Sequence, residues 1–186
     1  KAIQEKHIDL VICGPEKPLA QGIADVLTKN SIKIFGPTAS AARLESSKIF
    51  AKQIMLEANI PSAKFETATT KAQAFKIANC FLEKNSAVVL KANGLANGKG
   101  VCICKNISEI KKSLDYLYNN FPQSCTPLLV EEYIEGRECS FFTMIHQQQH
   151  THLGFAVDFK RFQEQDKGPN TGGMGAYTPV PWLPKD

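Results

Sequence analysis

Three stretches of this 186-residue protein carry residue types and spacings suited to holding a phosphorylated ligand. The first runs Val88-Val89-Leu90-Lys91-Ala92-Asn93-Gly94-Leu95-Ala96-Asn97-Gly98-Lys99-Gly100-Val101: an apolar strand ending in lysine, a loop of glycine and small residues, then another strand. Glycine reaches positive φ without a Cβ penalty, so consecutive backbone N–H groups can converge on phosphate oxygens. Lys91 and Lys99 supply neutralising charge. The segment is not a Walker loop, because Gly100 stands where Ser or Thr would hold magnesium and a strand follows instead of a helix. The plain alternative is a β-hairpin with a flexible tip. Against it stands Lys91, a charge ending an otherwise apolar strand, which needs a partner.

The second stretch is Leu128-Leu129-Val130-Glu131-Glu132-Tyr133-Ile134-Glu135-Gly136-Arg137-Glu138, an apolar strand leading to a short connector and a further acid. Such a connector offers backbone carbonyl and N–H groups to an adenine edge, and an acid seven residues after Glu131 can accept from ribose hydroxyls. Taken alone, Glu-Glu is a solvated face, and the nucleotide reading leans on the glycine loop. The third stretch places Asp158, Lys160 and Arg161 before Lys167-Gly168-Pro169-Asn170-Thr171-Gly172-Gly173-Met174-Gly175-Ala176-Tyr177. Three basic residues around a loop with four glycines suit an anionic substrate held by backbone amides and charged hydrogen bonds. A disordered linker is the alternative, but linkers seldom carry Met and Tyr within so specific a glycine arrangement.

The elements that must position these residues follow from hydrophobic spacing. Apolar runs at Ile8 to Cys13 and Ile32 to Phe35 flank helical periodicity from Leu19 to Lys29, the pattern of a parallel βαβ unit. Gly14-Pro15 and Gly36-Pro37 then end two strands, where open α/β sheets bind ligands, although Gly-Pro can simply turn the backbone. Ser40 to Ala58 reads as one amphipathic helix halted before Pro61, Lys71 to Lys84 as a helix behind a Thr cap, and Ser108 to Tyr118 as a third with Ser108 its cap. Apolar stretches at 87–92, 101–104, 128–133, 139–145 and 153–159 suggest strands of an antiparallel or mixed α+β sheet. Gln147-Gln148-Gln149 reads as a polar hairpin tip, and Pro179 to Pro184 as an extended end. The pattern changes class near residue 60, from α/β to α+β.

Composition excludes several functions. The formal charge of +4, from 22 basic and 18 acidic side chains spread along the sequence, gives no basic block for nucleic acid. Six cysteines show neither zinc spacing nor a disulfide ladder and read as free thiols of a reducing cytoplasm. No apolar run reaches membrane-spanning length, and the first residues lack a signal-peptide core. No Ser-His-Asp or Cys-His set is evident, and His146, His150 and His152 read as surface residues of a hairpin. Without an initiating Met, the sequence reads as a piece of something longer.

In this order, the three segments resemble the ATP-grasp core of the glycinamide ribonucleotide synthetase family, with Lys91 to Val101 as its glycine loop, Glu131 to Glu138 as its adenine hinge and Gly168 to Tyr177 as its most distinctive signature. Ile34 to Thr38 and Leu44 to Lys48 follow the family pattern too. The resemblance implies the end of a Rossmann-like domain over 1–37, a linking helix over 38–60, a small ATP-grasp subdomain over 61–134 and the start of the large one over 135–186. It implies a ligase that phosphorylates glycine with ATP and lets 5-phosphoribosylamine attack the acyl phosphate. Rivals are another ATP-grasp ligase and a non-catalytic nucleotide-binding module.

By position, the resemblance implies that Lys48 and Lys91 contact ATP phosphates under the Gly98, Lys99 and Gly100 loop, while Glu131, Glu132 and Ile134 bind adenine largely through their backbones. Glu138 then holds the ribose; Asp158, Lys160, Arg161 and the loop of Pro169, Asn170, Thr171, Gly172 and Gly173 border the glycine and phosphoribosylamine site. Lys91 and Arg161 are the catalytic candidates. Mg2+ or Mn2+ is implied, with ligands beyond Asp186, and the family's first phosphate segment falls before Lys1, so this piece is expected to bind ATP without turnover. A monomer is the favoured state of the full-length protein. The sequence departs from the family at Asn93 (Asp there), Asn97 (Ala) and Phe159 (His).

Overall fold

The computed structural model describes residues 2–96, 98–165 and 167–184, without the side chains of Ala2, Gln4, Pro169 and Asn170. Asn97 and Asp166 lie outside the described residues, as do both termini. The protein forms two compact units, Lys1–Ala96 with Gly100–Tyr133, and Asn97–Lys99 with Ile134–Asp186.

The first unit opens with α1 (Ala2–Glu5), β1 (Val11–Ile12), α2 (Glu16–Ala20), α3 (Ile23–Lys29) and β2 (Ile34–Phe35). β1 and β2 pair in parallel, Val11 opposite Ile34, as the βαβ spacing predicts. The single helix expected from Leu19 to Lys29 is two, because Gly22 sits at φ 87°, a left-handed conformation that interrupts the helical ladder. Gly36 follows β2 where a Cβ would come within 2.8 Å of the Leu19 side chain, so strand and helix approach closely only without one.

The helix expected from Ser40 to Ala58 is likewise two, α4 (Ala39–Ser46) and α5 (Lys48–Glu57). Ser47 breaks it: its backbone is extended at φ −139°, ψ 101°, and its hydroxyl accepts from the Phe50 N–H at 3.2 Å, restarting the helix with a cap. The break occupies one residue, so the apolar spacing along the sequence runs on through it, which hid it.

A four-stranded sheet in the order β3-β6-β4-β5 follows, from β3 (Phe65–Ala68), β4 (Val88–Lys91), β5 (Val101–Cys104) and β6 (Leu128–Glu132), every pairing antiparallel. Against one face lie α6 (Lys71–Leu82), capped by Thr70 as predicted, and α7 (Ile107–Asn120). Alternation sends Val88, Leu90, Leu128 and Val130 to that face, where they join Ala74, Ala78, Ile110, Leu114 and Leu117 in a core with essentially no exposure. Burying each Leu or Ile there contributes about 1.5–3 kcal/mol. Burial pushes the Cys104 and Cys125 thiols up to about 11, so both stay neutral core groups. The same alternation turns Val89, Lys91, Leu129 and Glu131 to the opposite face.

The second unit holds the hairpin β7 (Ser140–His146) and β8 (Gln149–Asp158), turning at Gln147 with φ 53°. β9 (Arg161–Gln163) and β10 (Lys167–Asn170) form a separate hairpin, so part of the expected glycine loop is strand, closed by backbone pairing of Asn170 with Arg161. β11 (Ala176–Tyr177) pairs with β8 on its other edge. The proline-rich end is a turn rather than extended: Leu183 N–H donates to Val180 O at 3.3 Å, and Trp182 Nε1 donates to the Tyr177 hydroxyl at 3.1 Å. Among the described residues no helix is long and apolar enough to cross a membrane.

The cap of α7 is Asn106 rather than Ser108. Asn106 Oδ1 accepts from Glu109 N–H at 2.9 Å, while Glu109 Oε2 accepts from Lys105 N–H at 2.8 Å. Asn106→Ala is therefore expected to cost about 1 kcal/mol in urea unfolding and Ser108→Ala less than about 0.5.

Candidate functional site

On the face of the four-stranded sheet away from α6 and α7, Glu131 stands opposite Val89 on one side and Phe65 on the other. Lys91, opposite Leu129, shares that face by strand parity and lies diagonal to Glu131. Its Nζ donates to Glu131 Oε2 at 2.7 Å, so the partner that an apolar strand owes its terminal lysine is another predicted site residue. The carboxylate is 4% exposed, deep enough that its charge requires compensation.

A second lysine, which the motifs did not single out, completes that compensation. Lys52, one turn after Lys48 on α5, brings Nζ to 3.3 Å from Glu131 Oε1 and also donates to Ser62 Oγ at 2.5 Å and Ala63 O at 3.1 Å. The Lys52–Oε1 approach is a contact of charges, since Oε1 makes no hydrogen bond among the described residues. The available signal was the four-residue spacing from Lys48, which puts two ammonium groups on one helical face.

Lys48 itself, the first residue of α5, donates Nζ to Gly94 O at 2.7 Å, tying the helix to the start of the glycine loop. Asn93 makes the same connection at the backbone level. Its Oδ1 accepts from Ser47 Oγ and from Ile49 N–H, both at 3.2 Å, and its own N–H donates to Ser124 O at 2.6 Å. Asn93 thus supplies the acceptor that the Asp of the family would supply, at a helix N-terminus where orphan N–H groups need one. Burial holds the Lys48 ammonium below the ordinary value of 10.5; Glu45 opposes this, Lys91 adds to it, and Glu131 opposes it. A lysine depressed in the folded state costs stability at neutral pH, and that cost is relieved as pH rises towards 10.5. A bound anion would offset the same cost.

The rest of the predicted set divides between the units. Glu132 faces Lys64: its N–H donates to Lys64 O at 3.0 Å and its carboxylate accepts from Lys64 N–H at 2.8 Å. Gly100 lies beside the sheet, its carbonyl accepting from Ala92 N–H at 2.8 Å. A Cβ there would come within 2.7 Å of the Ala96 Cβ and 3.1 Å of the Ala92 Cβ, so the loop closes only over glycine. In the second unit Gly98 adopts φ 74°, Lys99 is exposed and Ile134 is 64% exposed.

Also in the second unit, Lys160 Nζ donates to Glu138 Oε2 at 2.8 Å and lies 3.8 Å from Asp158 Oδ1. Hydrogen bonding to Glu138 raises the Lys160 ammonium above its ordinary value, against burial. Thr171 N–H and Oγ1 both donate to Lys160 O, at 2.7 and 3.0 Å, and Thr171 Oγ1 accepts from Gly173 N–H at 3.1 Å. Gly173 holds φ 114°, and Gly172 beside it is exposed. Arg161 Nη1 donates to Gly168 O at 2.9 Å, bracing the β9–β10 hairpin whose second strand ends in Pro169 and Asn170. Phe159, where the family has His, stacks its ring 5.8 Å from that of Tyr177. The structure therefore gathers Lys48, Lys91 and Glu131 in one unit, and Glu138, Asp158, Lys160 and Thr171 in the other. Among the described residues no three His, Cys, Asp or Glu side chains are grouped to hold a metal ion.

Because Asn93 serves two donors with one oxygen, Asn93→Ala is expected to cost about 1–3 kcal/mol in chemical unfolding, whereas Asn93→Asp, which keeps the acceptor, stays within about 1 kcal/mol of the parent.

Known proteins resemble this chain along its length. The model of the phosphoribosylglycinamide synthetase N domain matches residues 1–45, and that of the phosphoribosylglycinamide synthetase ATP-grasp (A) domain matches residues 46–186. The phosphoribosylamine–glycine ligase of Escherichia coli O157:H7 is 40% identical over 185 residues, 98% of this chain and 42% of that protein. Its counterpart in Mesorhizobium japonicum is 43% identical over 180 residues, 96% of this chain and 41% of that protein. The crystal structure of phosphoribosylamine–glycine ligase from Thermotoga maritima superposes with a TM-score of 0.66 at 35% identity, covering 80% of this chain and 38% of that one. The sequence thus spans less than half the length of the relatives it matches. Motifs, sheet order and matches converge, and the chain belongs to the phosphoribosylglycinamide synthetase family, with its ATP-grasp fold.

Proposed function

We propose that this chain is the nucleotide-binding part of a ligase that joins glycine to 5-phosphoribosylamine at the expense of ATP. The observation that carries the reading is the cluster on the sheet face, where Lys52 and Lys91 contact the buried carboxylate of Glu131 and Lys48, hydrogen-bonded to Gly94 O, is within electrostatic reach of both Lys91 and Glu131. Such an excess of partly desolvated ammonium groups beside a glycine loop calls for an anion.

In the reaction, the γ-phosphoryl group of ATP passes to a carboxylate oxygen of glycine and ADP leaves. The amine of phosphoribosylamine then attacks the acyl carbon, and inorganic phosphate departs as the C–N bond forms. Little covalent chemistry falls to the protein, which positions the reactants and stabilises their charge. Lys48 and Lys91 hold phosphate oxygens, and the loop of Gly98, Lys99 and Gly100 offers backbone N–H groups to phosphate. The connector from Glu131 and Glu132 to Ile134 meets adenine, and Glu138 meets the ribose. Asp158, Lys160, Arg161 and the segment from Pro169 to Gly173 border the glycine and phosphoribosylamine site, where Arg161 joins Lys91 in stabilising developing charge. A divalent cation, Mg2+ or Mn2+, would neutralise phosphate charge when bound. The domain division at residues 37, 60 and 134, a monomeric state and a cytoplasmic setting belong to the same reading.

Titration calorimetry with ATP tests the site. Replacing Lys91 by Ala is expected to remove about 1.5–3 kcal/mol of nucleotide affinity, the worth of a charged hydrogen bond. Equal affinity of parent and variant would take Lys91 out of the site. In a coupled assay, ADP release by a full-length protein that includes this sequence should require both glycine and phosphoribosylamine, while the 186 residues alone should release none. Dependence on a different amine or acid would point to another ATP-grasp ligase, and ATP binding without turnover by the full-length protein to a binding module.

A further inference from the structure

Lys52 has no part in the proposed contacts to ATP, yet its side chain is more deeply buried than that of Lys91, at 11% against 27% exposure. Its Nζ is anchored by Ser62 Oγ and Ala63 O, and lies 5.5 Å over the Phe65 ring. Glu131 therefore has two cations from different elements, one on each oxygen: Lys91 hydrogen-bonded at 2.7 Å and Lys52 in charge contact at 3.3 Å. The asymmetry matters because the two lysines are held differently. Lys52 has two further oxygens fixing it in place, whereas Glu131 is the one partner the structure gives the Lys91 ammonium among the described residues.

A lysine committed to a carboxylate cannot also neutralise a phosphate. If Lys91 turned to an anion with no other cation present, the buried Glu131 charge would be left uncompensated, which is strongly unfavourable. Around Glu131, the charges to consider are Lys52 and Lys48 from α5, the latter beside Glu45, and Lys91 from β4; its cross-strand neighbours Phe65 and Val89 bring none. Glu132, the next residue, is engaged with Lys64.

We propose that Lys52 is a positioning residue, the resident counter-ion of Glu131, whose presence frees Lys91 to exchange the carboxylate for a phosphate oxygen. The identity of the anion rests on the nucleotide reading above. The exchange itself is a property of three side chains.

The experiment compares the parent protein with Lys52→Met, Lys52→Arg, Glu131→Gln and Lys52→Met/Glu131→Gln, each checked for folding by thermal unfolding. Without ligand, the acylation rate of Lys91 by an amine-reactive reagent, followed by peptide mass spectrometry, reports how firmly Glu131 holds it. Lys52→Met should slow that labelling several-fold, and adding Glu131→Gln should restore it. With ATP, Lys52→Met should weaken binding roughly tenfold, since freeing Lys91 now strands a buried charge, and the double variant should recover most of the loss. A purely structural lysine would not be rescued by neutralising its partner.

Unchanged Lys91 labelling in a folded Lys52→Met protein, or an affinity loss that Glu131→Gln does not relieve, would overturn the proposal. Should Lys52→Met fail to fold, Lys52→Arg decides: parental labelling supports the counter-ion role, and slowed labelling sinks it. If the parent binds no ATP but the labelling order holds, the counter-ion role of Lys52 stands and the nucleotide reading falls.

Discussion

The buried carboxylate of Glu131 is the constraint around which the first unit is arranged. It sits on the central pair of a four-stranded antiparallel sheet, 4% exposed, in a place where an ionised group survives only with opposite charges at hand. Two lysines meet that requirement from different directions, Lys91 along the neighbouring strand and Lys52 from α5. Holding both fixes α5 on the sheet face away from α6 and α7. That placement sets Lys48, at the head of the same helix, against the Gly94 carbonyl. One charge thus orders a helix, a strand end and the entry to the glycine loop.

The glycine loop begins from a rigid base. Asn93 links the first residues of α5 to the end of β4 through a single amide oxygen, and its N–H ties both to Ser124. Beyond it the residues become small, and at Gly100 even a methyl group would clash. The second unit uses a similar economy: the Lys160 carbonyl collects both donors of Thr171, whose hydroxyl in turn fixes the Gly173 backbone. The surface pair of Lys160 with Glu138, both largely exposed, contributes at most about 1 kcal/mol to stability. Its interest lies in holding a proposed ribose acceptor beside a proposed substrate residue.

Much of the fold was legible from spacing alone. Short apolar stretches place the strands at 88–91, 101–104 and 128–132 to within a residue or two, because a run of apolar residues too short for a helix and bounded by polar or glycine residues is a local strand signal. The Thr70 cap and the parallel first pair were likewise legible from local signals. The breaks at Gly22 and Ser47 were not, since they take only two residues and one residue out of helix and leave the apolar spacing along the sequence readable as a single run. Nor was the cap of α7, where Asn106 and Ser108 both have suitable side chains and only the packing of Ile110, Leu114 and Leu117 sets where the first turn starts. In the candidate site, the residues proposed to meet phosphate were picked out through glycine and lysine spacing. Their partners were not.

The sequence by itself determined the family and, apart from the breaks at Gly22 and Ser47, the order of the main elements, because these depend on motif and residue order. Only the tertiary structure decided that Lys91 is paired, that Lys52 shares its carboxylate, and that Asn93 fastens α5 to the loop. Those contacts join residues about 40 to 80 positions apart, from Lys91 to Glu131, from Asn93 to Ser47 and from Lys52 to Glu131. A pairing of charges at that separation has no signature along the sequence, and its meaning appears only when folding removes the water that would otherwise screen it.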